Sequence, residues 1–185
     1  MSDLDSLRYP IGRFQRILAP HQPSARAALI ESLAAVPAEY RRAVEPLTPA
    51  QLDRPYRPGG WTIRQLVHHV PDSHGQAYSR MKLALTEDQP AIKTYNETLW
   101  AELPDTAATP VAVSLALLDA LHLRWTTLLR QLPPASFQRA FLHPEWGTVT
   151  LDEALSQYEW HGRHHLAHIR QALLGGGAVG TRANP

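Results

Sequence analysis

The sequence predicts an all-α protein, a four-helix bundle with room for one short β-hairpin before its last helix. Three observations predict it. Four long segments repeat apolar residues at three- and four-residue steps, the period of a helix face. Several are preceded by Thr-led capping signatures. There is no alternating βα pattern, no internal repeat and no GxGxxG. The 185 residues suit a single domain with a sizeable core.

Taken in order, residues 1–23 carry Tyr9-Pro10-Ile11-Gly12, Pro20 and Pro23. That spacing disfavours a helix and predicts an extended N-terminal arm lying on the body. The bundle is expected over 24–174. Its first helix starts at Ser24, with Ala28, Leu29, Leu33 and Val36 on one face, then Tyr40, Val44 and Leu47; Pro37 is placed to kink or split it. Thr48-Pro49-Ala50-Gln51 reads as a capping box opening one short turn. Thr62-Ile63-Arg64-Gln65 is a second box, and its helix runs to about Thr86, bent at Pro71. Residues 87–109, rich in Pro and Thr, form a long connection of the kind that carries function. Thr109-Pro110 opens the third long helix, with Val113, Leu117, Leu121, Trp125 and Leu128 on one face. Phe137 to Val149 reads as a small hairpin about Pro144-Glu145-Trp146-Gly147. Thr150-Leu151-Asp152-Glu153 is a further box, opening a histidine-rich last helix. Residues 175–185 read as a flexible tail.

Composition excludes several functions. Eighteen basic against 17 acidic residues leave a net charge of +1, no footprint for nucleic acid or an anionic membrane. There is no cysteine, which excludes disulfides, thiolate catalysis and Cys-ligated zinc. The polar start Met-Ser-Asp-Leu-Asp is unlike a signal peptide, and no apolar run approaches the length of a membrane span, so a cytoplasmic location is expected.

Four of the ten histidines fall in Trp160-His161-Gly162-Arg163-His164-His165-Leu166-Ala167-His168. Residues four apart stack on one helix face. Leu151, Ala154, Leu155, Tyr158, Ile169, Ala172 and Leu173 define an apolar stripe, and His161 and His165 continue it into the bundle. His164 and His168 fall toward its edge. On the helix from Thr62, His69 flanks the core face in a row with Leu66 and Ser73, while His68 points further away. His69 is thus the better third ligand, and three imidazoles from two helices would leave a fourth position open, as catalytic sites do. The pair His161 and His165 reads equally as hydrogen-bonded core histidines. Gly162 stands where His-Glu-x-x-His would need its glutamate, which argues against a zincin-type protease. Asp72, Glu153 and Glu159 read as solvated or capping charges. His21, His122 and His143 show no partner.

The stretches Gly59-Gly60-Trp61-Thr62-Ile63-Arg64-Gln65-Leu66-Val67-His68-His69, Asp72-Ser73-His74 and Trp160 to Ile169 closely resemble the YfiT branch of the DinB-like superfamily. Tyr9 to Gly12, Leu52 to Tyr56, Lys82 to Glu87, Leu121-His122 with Arg124 to Thr126, and His143-Pro144 match as well. The resemblance implies a DinB-like four-helix bundle holding one divalent metal ion per chain, nickel or zinc, on His69, His161 and His165. It implies a metal-dependent hydrolase with a small-molecule substrate, or a thiol S-transferase using bacillithiol, mycothiol or glutathione, and a homodimer. A third reading is non-enzymatic, a stress protein whose metal staples the bundle. No general base is assigned; His74, His164 and His168 are the candidates, and with His68 they are the expected residues behind the ligands or around the pocket. A pocket lined by groups such as Arg80, Asn96 or Arg124 would favour the transferase.

Overall fold

The computed structural model describes residues 3–175. Four long helices form the body: α2 (Pro23–Val44), α4 (Ile63–Thr86), α7 (Val111–Gln131) and α8 (Leu151–Leu173). Each of α2 and α4 packs against both α7 and α8, so α2 and α4 occupy one diagonal of the bundle and α7 and α8 the other. The short helices α1 (Asp3–Arg8), α3 (Pro49–Leu52), α5 (Glu97–Ala101) and α6 (Pro104–Ala108) decorate it. A single 3-10 turn at Pro134–Gln138 precedes the antiparallel hairpin β1 (Ala140–His143) and β2 (Gly147–Thr150). Gly147 closes that hairpin at φ +69°, a conformation a side chain would oppose.

Local chemistry sets most boundaries. Thr48 and Thr62 each accept from the backbone N–H three residues on, and Gln51 and Gln65 return the bond, so both capping boxes are complete. At Thr150 only half of the expected box forms. Thr150 accepts from the Glu153 N–H, but the Glu153 carboxylate is held by Arg16 of the N-terminal arm. Glu153 is therefore buried, as is Glu159, which pairs with Arg163 and accepts from Ser32. Both were expected as solvated or capping charges. Arg16 lies on the arm and Ser32 on α2, beyond the reach of a local reading, whereas the Glu159–Arg163 pair is local to α8. Asp72 is exposed, as expected. Neither Pro37 nor Pro71 splits its helix.

Three further expectations are corrected. The arm begins with one helical segment, α1, because the prolines that oppose a helix start only at Pro10. Residues 9–22 are non-helical and lie along α8, with Tyr9 stacked on His164, Phe14 against Trp160 and the His21 backbone N–H donating to buried Asp152 at 3.1 Å. The 87–109 connection holds two short helices, one capped by Asn96. Finally, α7 is by length and composition apolar enough to cross a membrane, with mean hydropathy 1.2 over its best stretch. Asp119, His122 and Arg124 interrupt the apolar run, but the surrounding Leu, Val and Ala residues keep the mean at that value. One face of α7, with Leu115, Leu118, Trp125 and Leu129, is buried in the bundle. The flexible-tail reading falls, from residue 176 on, outside the described residues.

The core divides into two apolar clusters. One gathers Leu33, Met81, Trp125, Phe137, Leu151 and Leu155 at the hairpin end. The other gathers Val36, Tyr40, Leu66, Val70, Leu118, Leu166 and Ile169. Between them every long helix but α2 contributes histidine: buried His69 and His74 from α4, buried His122 from α7, and half-buried His161 with buried His165 from α8. Gly162 lets α2 approach this layer. A Cβ there would lie 3.0 and 3.3 Å from the Val36 methyls, and the Tyr40 hydroxyl donates to its carbonyl. Ala is the better helix former by about 1 kcal/mol, but overpacking costs about 1–3 kcal/mol. We expect G162A to lower urea stability by about 1 kcal/mol, and V36A to recover part of that loss in the double variant. Simple additivity of the two changes would refute the close-approach role.

Candidate metal centre

Two helices converge on one point. On α8, His161 and His165 stack one turn apart, ring centroids 4.5 Å from each other. On α4, His69 brings Nε2 to 3.2 Å from His161 Nε2, and its ring lies 4.9 Å from that of His165. One nitrogen from each of the three lies within 4.8 Å of the others. They open onto a cavity of about 500 Å³, walled by Trp61, Tyr95, Trp146 and Tyr158 with Ser73, Arg80 and His143 among its polar groups.

The hydrogen bonds behind these rings decide which nitrogens are free. A backbone carbonyl only accepts, so His122 Nδ1–H must donate to Leu33 O at 2.8 Å. Its Nε2 is then the acceptor for His74 Nδ1–H, also at 2.8 Å. His74 Nε2 in turn accepts from His161 Nδ1–H at 3.1 Å. The relay leaves His161 Nε2 as a bare lone pair facing His69. A second relay serves His165. His168 Nε2–H donates to Arg8 O at 3.1 Å, and its Nδ1 accepts from His165 Nδ1–H at 3.3 Å. The Nε2 lone pair of His165 is thereby directed away, toward the cavity. Metal-binding histidines usually rest on a carboxylate or carbonyl; here other histidines carry the contact through to carbonyls of α2 and the arm.

Electrostatics keep the rings neutral. Burial pushes His69 down to about 4 and His122 to about 4. Burial, then the neighbouring imidazoles, holds His74, His161 and His165 well below the ordinary histidine range. Neutral imidazole is the metal-binding form. Three convergent neutral nitrogens with no lysine or arginine between them fit a divalent ion.

The expected residues therefore sort as follows. His69, His161 and His165 are brought together and could hold the metal. His74 and His168 lie directly behind them. His164 stacks between Tyr9 and Trp160, and it is buried rather than at an edge because the arm covers it. His68 is off the site, its Nδ1 2.7 Å from Ser114 Oγ. None of His74, His164 and His168 lines this cavity, so none of the three candidate bases is placed against it; His164 and His168 line a separate pocket beside Tyr9 and Tyr56. His164, His165 and His168 also form a triplet within 4.8 Å, but there His165 Nδ1 carries the proton that His168 accepts. Arg80 lines the cavity, whereas Asn96 caps α5 and Arg124 lies on the outer face over Tyr78. His122 was missed, since its partners Leu33 and His74 come from other helices; its place on the buried face of α7, in line with Leu118 and Trp125, was the available signal.

If the relays orient the ligands, H74F and H168F should each weaken metal affinity about 10- to 100-fold with one ion still bound at saturation. Competition against a chromophoric chelator measures this, and unchanged affinity in both would dismiss the relays.

A four-helix bundle with a three-histidine pocket at its middle is the class that fold and site define. The DinB superfamily model matches residues 32–169, and the chain belongs to that superfamily. It is 50% identical over 166 residues to a "Putative metal-dependent hydrolase" of Bacillus mycoides (strain KBAB4), covering 90% of this chain and 95% of that one. A protein of the same name from Bacillus cereus (strain B4264) is 49% identical over the same span. Among solved structures, YfiT from Bacillus subtilis, described as a probable metal-dependent hydrolase with an unusual four-helix bundle topology, superposes with a TM-score of 0.87 at 47% identity, covering 90% of this chain and 95% of that one. TT2238, a four-helix bundle protein, matches at 0.55 and 20% identity, which speaks to the fold alone.

Proposed function

We propose that this chain is a metal-dependent hydrolase acting on a small molecule, with one divalent ion, nickel or zinc, held by His69, His161 and His165. The observation that carries the reading is the convergence of three neutral imidazoles on the floor of an open cavity. Such an ion would lower the pKa of a bound water toward neutrality and polarise the scissile group. The relays from Leu33 and Arg8 keep the two α8 ligands in the Nε2-free tautomer throughout. Trp61, with its ring 4.7 Å from that of His69, shields the ligand side from bulk water. Tyr158 and Trp146 wall the space a substrate would fill. Metal-loaded protein should hydrolyse members of an ester and amide panel, and H161A should not.

A thiol S-transferase is the second reading. What favours it is the cavity's size and polar lining, together with a chain that has no thiol of its own. Activity that appears only when bacillithiol, mycothiol or glutathione is added would replace the hydrolase reading with this one. Retention of full stability on stripping the metal would argue against a purely structural ion. We further propose a cytoplasmic homodimer, with the exposed row Val113 and Leu117 on α7 as the surface to test by sedimentation of V113E/L117E.

A further inference from the structure

The cavity has a second end. His69, Ser73 and Arg80 fall on one side of α4, since seven and eleven residues are close to two and three helical turns. Eleven residues span about 16 Å of axis, and the arginine side chain leans back toward the helix N-terminus. Arg80 is only 8% exposed yet lines the cavity. Buried guanidinium groups are almost always matched by a carboxylate. Among the described residues, none of the ion pairs includes Arg80. Its Nη2 donates to Lys93 O at 2.8 Å and its Nη1 to the Tyr158 hydroxyl at 3.4 Å, while Nε has no partner. The carboxylates that share the lining, Glu97 and Glu145, are exposed at its rim. A charge buried this far, fixed by two neutral acceptors and still holding a free donor, is built to receive an anion.

We propose that Arg80 is the anion-binding subsite of the substrate pocket. The substrate is then an elongated molecule with its reacting group at the histidines and a carboxylate or phosphate at the Arg80 end. Tyr158 joins the two ends. Its hydroxyl meets Arg80, and its ring lies 5.9 Å from that of His161. This rests on the metal reading above, and the test separates the two. Cobalt-loaded protein is titrated with a ladder of ω-substituted alkanethiols bearing a neutral amide, a carboxylate or a phosphonate, and occupancy is read from the sulfur-to-cobalt charge-transfer band. At the chain length that spans the pocket, the charged thiols should bind about 10- to 100-fold more tightly than the amide, the scale of a charge-assisted hydrogen bond. Carboxylate or phosphonate preference then identifies which anion the subsite takes. The gain should vanish in R80Q and be partly restored in R80K. If no thiol gives the band, the open-metal reading fails. If the amide binds as well as the anions at every length in the wild-type protein, or if the gain survives in R80Q, the Arg80 subsite is overturned.

Discussion

H161A and H165A will bind no stoichiometric metal, while H68A will keep one ion per chain. The reasoning is geometric. Each ligand supplies one of three nitrogens within 4.8 Å, and two imidazoles on a flexible remainder cannot hold an ion that three hold rigidly. His68 is next to His69 in sequence, but the helix turns it onto Ser114. Elemental mass spectrometry of dialysed variants checks this. An H68A protein that loses its metal would overturn the ligand set. The ligand variants should stay helical, because the two apolar clusters on either side of the histidine layer are untouched.

The second large effect is acid unfolding of the metal-free protein. Nine histidines are held below their ordinary range, burial being the first cause in each: His68, His69, His74, His122, His143, His161, His164, His165 and His168. Their folded-state values are depressed, so the unfolded chain binds protons first. The stability they permit is complete above about pH 6.5 and is lost as pH falls toward 4, where His69, His122 and His168 titrate in the fold. Each such group withdraws about 1.4 kcal/mol per pH unit inside that window. Against a total of about 5–15 kcal/mol, a few groups suffice. Circular dichroism should show cooperative loss of helix near pH 5, with uptake of several protons. Helix content and urea midpoint that stay flat from pH 7 to 4 would contradict this layer of neutral imidazoles.

What the sequence disclosed and what it withheld follow one physical line. Helix period and capping chemistry are local, so Thr48 and Thr62 announced their helices and the apolar stripe of α8 separated His161 from His164. The same periodicity placed His164 and His168 at an edge. It is silent on the arm, which crosses from the other end of the chain to lay Tyr9 on His164, and on the connection before α4, whose Tyr56 stacks on His168. Glu153 is buried for the same reason, its charge being met by Arg16 of the arm, and Glu159 is covered where Ser32 of α2 donates to it. The relay through His122 and His74 is the clearest case. No spacing rule links Leu33, His74, His122 and His161, and only the crossing of four helices makes them one chain of donors and acceptors. Arg80 had been readable as a polar group near a pocket; that it lacks a counter-ion is a property of the fold.

The most direct test of the central claim is anomalous scattering from crystals of zinc-loaded protein. One strong peak per chain within bonding distance of His69, His161 and His165, with the fourth position filled by solvent, is the result expected here. A peak centred on His164, His165 and His168 instead, or a fourth protein ligand closing the site, would contradict it.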